Sequence, residues 1–181
     1  MPRHPSISTP TRKSSLIDEV IERLRHTALA DVELGPFATR AELVAAVLEH
    51  IYRSEKNAEE ESATGPSDLD TYFDGIVAAF DWNADPANTF MRRVAFEAAA
   101  FDFALVQPHY RRWLQEAARD LRALGLSEAD AALESRVLNN VFLGFAYDLT
   151  VNHDPATTRA AFIVSLERFR DRIAHLVELA V

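Results

Sequence analysis

The stretch Phe37-Ala38-Thr39-Arg40-Ala41-Glu42-Leu43-Val44-Ala45-Ala46-Val47 is the clearest helix signal in this 181-residue chain. Thr39 and Glu42 stand three residues apart, the spacing of a capping box, in which each side chain accepts a hydrogen bond from an amide at the other end of the first helical turn. Apolar residues then recur at helical spacing, at Leu43, Val47, Leu48 and Ile51. The segment therefore predicts the start of a long amphipathic helix that ends near Glu60.

The remaining sequence also favours helices. The chain contains only five glycines and is rich in Ala, Leu, Glu and Arg, which are strong helix formers. Serine or aspartate caps precede several apolar runs, and two of these caps are Asp-Pro pairs, at Asp85-Pro86 and Asp154-Pro155. We expect Pro108 to separate two helices. The sequence predicts an all-α fold without strands, with seven helices at about 14–30, 39–60, 67–82, 87–106, 109–124, 128–152 and 156–180.

Composition excludes several classes of protein. The chain has no cysteine, which rules out disulfides, thiol catalysis and zinc sites built on thiolates. No apolar run is long enough to predict a membrane-spanning helix, and the N-terminus lacks the apolar core of a secretory signal. We therefore expect a cytoplasmic protein without a membrane partner. The net charge of −9 gives the chain as a whole no attraction for nucleic acid.

The chain divides into three parts. Residues 1–13 are polar and basic and predict a disordered tail. Residues 14–38 predict a short helical head, and residues 39–181 a larger helical body. The body ends in two long helices, the second of which has apolar residues at alternating spacings of four and three, as in a coiled-coil seam.

The segment from Phe37 to Val47 resembles the F-x-[ST]-[KR]-x-[DE]-L-hhxxV junction of TetR-type bacterial transcription regulators. In that family, the junction opens the long helix that joins a DNA-binding head to an effector-binding body. The last two helices of two subunits form a four-helix dimer interface. The resemblance implies a homodimer here, whereas the alternative is that the same residues close a monomeric core. The interface residues it implies are Val141, Phe145, Phe162, Leu166, Phe169 and Ile173.

The head departs from the family pattern. Only 36 residues precede Phe37, fewer than a three-helix head requires, and residues 27–36 stand where the recognition segment belongs. They contain Asp31 and Glu33 but no basic residue, although a recognition helix needs donors that reach phosphates and base edges. Gly35-Pro36 would also end such a helix. We therefore predict an atypical or absent DNA-binding head and assign no DNA-binding residue.

A dense aromatic region predicts the ligand site, because an apolar cavity with a few polar groups suits a small molecule. The alternative is ordinary core packing. Arg93 and Glu97 have the spacing of a helical ion pair, while Asp102 lacks such a partner and either faces solvent or meets a ligand. The predicted ligand-binding residues are Phe80, Phe96, Phe101, Asp102, Phe103, His109, Tyr110, Trp113, Asn140 and Phe142.

Sequence motifs give no support for catalysis. The chain has no Glu-x-x-His pair of the di-iron kind, no G-x-S-x-G, no H-E-x-x-H and no phosphate-binding glycine loop. We expect no enzyme activity, no metal and no cofactor. The leading hypothesis is a TetR-like regulator that binds a small apolar ligand and has an atypical DNA-binding head. The alternatives are a ligand-binding or partner-binding module without DNA binding and, with least support, a helical-bundle enzyme.

Overall fold

A computed structural model describes residues 12–60 and 66–179, with the side chains of 16–53 and 66–179. Within these ranges the chain forms seven α-helices and no strand, so the all-α prediction is confirmed. The helices are α1 Arg12–Leu24, α2 Arg40–Glu60, α3 Leu69–Ala84, α4 Thr89–Phe101, α5 Phe103–Ala123, α6 Glu128–Asn152 and α7 Pro155–Leu179, with one 3₁₀ turn at Leu29–Asp31. None of the described helices is long and apolar enough to cross a lipid bilayer. Most of the predicted tail, 1–11, lies outside the described residues.

The start of α2 has the predicted capping box. The Glu42 amide donates to Thr39 Oγ1 at 3.2 Å, and Glu42 Oε2 accepts a hydrogen bond from the Ala38 amide at 3.0 Å. The carboxylate therefore reaches back to the amide just before Thr39. The Glu42 amide is one that the helix itself leaves without a partner, whereas the second bond of the box, usually made to the amide of the cap residue, is made here to Ala38 instead of Thr39.

The break between α4 and α5 lies at Asp102, so the prediction that Pro108 separates two helices is wrong. Asp102 has an extended backbone, and its Oδ1 accepts a hydrogen bond from the Ala104 amide at 2.9 Å. A short carboxylate competes well for backbone amides and thereby favours a new helix start. Pro108 then lies in the second turn of α5, where the helix loses one backbone hydrogen bond without ending.

The helix predicted over 14–30 is also shorter than expected. It ends at Leu24, and a 3₁₀ turn follows at Leu29–Asp31. The segment between α1 and α2 is therefore mostly irregular. Its backbone groups need partners outside regular helices, and side chains from α2 and α4 supply several of them.

Two groups of buried apolar side chains hold the helices together. The first lies among α1, α2 and α4 and includes Leu24, Leu43 and Val94, all fully buried. The second joins α3, α5, α6 and α7. Each such side chain contributes about 1.5–3 kcal/mol relative to an exposed position. Because α4 contributes to the first core and also contacts α3 and α6, it connects the N-terminal helices to the C-terminal bundle.

Candidate functional site

Two loops of similar sequence meet at one end of the bundle and form a cleft. Asp85-Pro86 connects α3 to α4, and Asp154-Pro155 connects α6 to α7. His153 makes the second turn sharp because it has a left-handed backbone with φ of 54°, a conformation costly for residues other than glycine. The cleft has a volume of about 160 Å³. Its lining residues are Ala84, Pro86, Thr89, Arg92, Leu149, His153 and Pro155.

Arg92 distinguishes this cleft chemically. The residue is only 6% exposed. Its Nε and Nη1 atoms are buried and have no hydrogen-bond partner among the described residues. Burial lowers the pKa of the guanidinium, and no described acid offsets that effect. A buried charge without a partner is unfavourable, and such groups are rare in folded proteins. The described residues therefore give no counter-charge to the arginine that lines the cleft.

The carboxylates of the two Asp-Pro loops have other partners. Asp85 Oδ1 accepts a hydrogen bond from the Ala87 amide at 2.7 Å. Asp154 Oδ1 accepts one from the Thr157 amide at 3.2 Å at the start of α7. Hydrogen bonds from the Thr157 side chain and backbone hold the pKa of Asp154 below its usual value. Both loop carboxylates thus cap helical turns, and neither is paired with Arg92.

Polar contacts fix the walls of the cleft. Arg159 of α7 forms a two-point ion pair with Asp81 of α3, with Nε–Oδ1 at 2.6 Å and Nη2–Oδ2 at 2.8 Å. This pair raises the pKa of Arg159. Asp148 of α6 accepts a hydrogen bond from Thr158 of α7 across the turn, and a second one from Asn152 within α6. Paired, planar contacts of this kind have strict geometry, so the two loops hold a defined relative position.

The residues that follow Arg92 on α4 hold the N-terminal segment. Arg93 Nη2 donates to the Thr27 carbonyl at 3.0 Å and also to the Leu24 carbonyl at the end of α1. Glu97 Oε2 accepts a hydrogen bond from the Leu29 amide at 2.6 Å. Arg93 and Glu97 also form the predicted ion pair, with Nε–Oε1 at 3.5 Å. The two side chains therefore satisfy backbone groups of the segment that joins α1 to α2.

Arg40, next to the capping box, completes this attachment. Its Nη1 donates to the carbonyls of Leu29 and Val32. The stretch from residue 27 to 36, where the resemblance would place a recognition helix, contains the 3₁₀ turn and irregular backbone. Asp31 and Glu33 are both exposed there. The described part of the predicted head is thus one helix and a loop fastened to α2 and α4.

The predicted aromatic ligand residues fall in separate places. Phe80 is fully buried and stacks on Phe162 with ring centroids 4.1 Å apart and an interplanar angle of 13°. Phe142 packs edge-on against both rings, and Trp113 lies beside Phe142. These contacts are those of a packed aromatic core. Phe80, Trp113 and Phe142 are thus in one cluster with the second core.

Three other predicted ligand residues lie at the break between α4 and α5. Phe101 and Phe103 are 53% and 61% exposed, and Asp102 is exposed as the cap of α5. Of the two positions predicted for Asp102, facing solvent or meeting a ligand, the structure shows the first. Phe96 is half-buried and contacts Tyr147 of α6 edge-on, with centroids 5.7 Å apart.

The polar candidates are also separated. His109 is half-buried, its ring lies 5.3 Å from that of Tyr52, and its Nδ1 has no partner among the described residues. Tyr110 is half-buried, whereas Asn140 is exposed. The buried amide is instead its neighbour Asn139, which is 5% exposed with an unpartnered Nδ2. These residues do not line the cleft at Arg92.

The predicted interface residues lie on the inner faces of α6 and α7. Phe162, Leu166, Phe169 and Ile173 are buried in the second core of a single chain, and Val141 and Phe145 pack against that core. Their apolar surface is therefore already covered within one chain, as in the monomeric-core alternative. A different surface of α6 and α7 faces solvent.

Sequence reasoning missed Arg92, although a local signal was present. Arg92 and Arg93 are adjacent, but only Arg93 has an acid four residues later, at Glu97. The residue four positions after Arg92 is Phe96, so Arg92 has no helical ion-pair partner on that side. An arginine without such a partner in an apolar stretch was a candidate for an external anion.

Comparison with protein-family models, curated proteins and solved structures finds no match to this chain.

Proposed function

We propose that this protein is a helical small-molecule-binding module, and that the cleft at Arg92 holds a negatively charged group of its ligand. The observation that carries this proposal is that Arg92, which lines a cleft of about 160 Å³ and is 6% exposed, has two buried guanidinium nitrogens, Nε and Nη1, without a hydrogen-bond partner among the described residues. An anion in the cleft would replace the water that this charge lost on folding. Hydrogen bonds to charged groups contribute about 1.5–3 kcal/mol each.

A ligand that binds only the folded protein raises its melting temperature. We expect small organic anions to do so for the wild-type protein, and expect Arg92→Met to remove the effect while keeping the apolar stem of the side chain. The control is Arg111→Met, the same change at an exposed arginine of α5 outside the cleft. An equal response of wild type and Arg92→Met would refute the proposed site.

The TetR resemblance adds a homodimer to this proposal, for which the outward face of α6 is the better candidate surface. Leu133, Val137, Tyr147 and Val151 are exposed there, and a Cβ added at Gly144 would meet no atom within 4 Å. Val137 and Val151 lie equally far in sequence on either side of Gly144. If two copies of α6 cross antiparallel at Gly144, Val137 of each copy lies opposite Val151 of the other, which gives the self-complementary contact of an isologous interface.

Sedimentation velocity tests the dimer. A charge at the centre of an apolar interface opposes association, so we expect Val137→Glu to yield monomers. Ala132→Glu, at an exposed position nearer the start of the same helix, is the matched control. A wild-type protein that remains monomeric at micromolar concentration would contradict the dimer.

Regulation of transcription is the second candidate function, favoured by the junction at the start of α2. The exposed acids Asp31 and Glu33 in the segment from 27 to 36 would repel phosphates. DNA binding would therefore depend on other residues. A regulator predicts salt-sensitive retardation of DNA from the region upstream of its own gene. Absence of retardation at low salt, with folded protein present, would leave the ligand-binding module without a DNA-binding role.

A further inference from the structure

We infer that the ligand of the Arg92 cleft is a monocarboxylate with a compact, uncharged apolar body. This inference rests on the proposed function, because it names the chemical class that the proposed site accepts. Three properties of the cleft lead to it: the number of charges, the volume and the chemistry of the walls.

The charges favour a single negative charge on the ligand. Among the described residues that line the cleft, Arg92 is the only Lys or Arg. The residues just before the lining prolines Pro86 and Pro155 are Asp85 and Asp154, which are both exposed. A second negative charge would find no further guanidinium or ammonium group among these described lining residues, and the residues next to the two lining prolines are acids. Like charges at short range are unfavourable, so a monoanion fits better than a phosphate dianion or a dicarboxylate.

The volume limits the body of the ligand. A volume of about 160 Å³ is well below the roughly 300–1,000 Å³ of pockets that hold drug-sized ligands. This room suits a carboxylate that carries a short or branched hydrocarbon group. A long acyl chain would extend beyond the cleft into solvent.

The walls opposite Arg92 offer few polar partners. Ala84, Pro86, Leu149 and Pro155 have no polar side-chain atoms. Thr89 Oγ1 already donates to the Pro86 carbonyl at 2.9 Å. His153 remains as a polar lining residue and is exposed at the end of α6. A ligand body rich in hydroxyls would lose water there without replacement, whereas a hydrocarbon body would gain from burial.

Isothermal titration with four probes tests the class. Isovalerate has the expected charge and size, isovaleramide has the same shape without the charge, inorganic phosphate has charge without an apolar body, and octanoate is too long. We expect isovalerate to bind at least about tenfold more tightly than isovaleramide and phosphate, a difference of 1.4 kcal/mol, and expect octanoate to gain no affinity over isovalerate because its longer chain lies in solvent. Arg92→Met should abolish isovalerate binding.

A second variant tests the apolar wall separately. Ala84→Leu narrows the cleft without changing its charge, and we expect it to weaken isovalerate at least about tenfold while acetate binding stays unchanged. Melting curves identify any variant that fails to fold.

The outcomes separate the two proposals. Equal or tighter binding of phosphate, or an unchanged isovalerate affinity in a folded Ala84→Leu, would overturn the inference of a monocarboxylate with an apolar body and leave the anion site in place. Binding of isovaleramide as tight as that of isovalerate would overturn the role of charge. No binding of any anion to the folded wild type would overturn both the site and the ligand class.

Discussion

Replacement of Arg92 by methionine should stabilise the ligand-free protein, although most substitutions of buried residues destabilise. Methionine keeps an unbranched apolar stem and removes the guanidinium, whose Nε and Nη1 are buried without partners. A buried unsatisfied polar group costs about 1–3 kcal/mol, and more when it is charged. Because the stem packing is largely retained, we expect a gain of about 1–3 kcal/mol in the free energy of unfolding. For a chain of this size, each kcal/mol raises the melting temperature by about 2–4 °C.

Urea unfolding followed by circular dichroism gives the free energy directly. The matched control is Arg93→Met, the same change at the next residue. We expect the opposite sign there because Arg93 donates to the carbonyls of Leu24 and Thr27 and pairs with Glu97. Its removal should cost about 2–4 kcal/mol, since two carbonyls lose their donor and Glu97 loses its ion-pair partner. Equal destabilisation by both variants would mean that Arg92 also has partners within the chain, and the argument for an open anion site would fail.

Two further predictions concern charges away from the cleft. Glu134 is 1% exposed and accepts two hydrogen bonds from Arg172, at 2.9 and 2.7 Å. Because Arg172→Met leaves this buried carboxylate unpaired, we expect it to lower the free energy of unfolding in urea by about 3–5 kcal/mol. A decrease below about 1 kcal/mol would contradict this. Burial lowers the pKa of His109 from its ordinary value of 6.5, with Arg112 acting in the same direction and Glu49 opposing. The folded protein thus favours neutral His109, whose contribution to stability is present above pH 6.5 and is lost as pH falls below it. A smaller loss of stability between pH 7.5 and 5 in His109→Gln checks this, and an unchanged profile would refute it.

Most helix boundaries follow from local sequence and were therefore predictable. The capping box at Thr39 and the cap at Ser127 act within one turn of the chain, so no tertiary information is needed to find them. The end of α4 was predicted incorrectly because two local signals compete. Proline usually breaks a helix, but a helix can accept it near its start. Asp102 supplied that start six residues before Pro108.

The side of each helix that faces the core was harder to predict. Helix α6 has apolar residues on both faces: Leu138 and Leu149 are buried, whereas Val137 and Val151 are exposed. Periodicity identifies such a helix but does not tell which face meets the rest of the chain. The cleft was also hard to predict for this reason, since it depends on tertiary contacts between two loops that are far apart in sequence. The sequence around Arg92 therefore does not show that its side chain lines a cleft between these loops.

Residues of the same helix, α4, line the cleft and hold the N-terminal segment, which leads to a final prediction. Arg92 lines the cleft, while Arg93 and Glu97 bind the backbone between α1 and α2. A ligand that fixes Arg92 should therefore favour the arrangement of α4 in which Glu97 accepts the Leu29 amide. The size of this effect is limited by how much more tightly the ligand binds that arrangement than the alternative one. A coupling free energy of 1–3 kcal/mol, typical of linked sites, corresponds to a change of about 5–150-fold in an equilibrium constant.

Hydrogen exchange of the Leu29 amide measures this coupling, because that amide donates to Glu97 at 2.6 Å. Saturating isovalerate should slow its exchange about 5–150-fold, and Glu97→Gln should reduce the effect by weakening the acceptor. The amides of α6 near Leu133, far along the helix from the cleft-lining Leu149, serve as an internal reference for any general stabilisation. Equal protection at Leu29 and at Leu133 would show that the ligand stabilises the whole fold. In that case α4 would anchor the N-terminal segment without transmitting occupancy of the cleft to it.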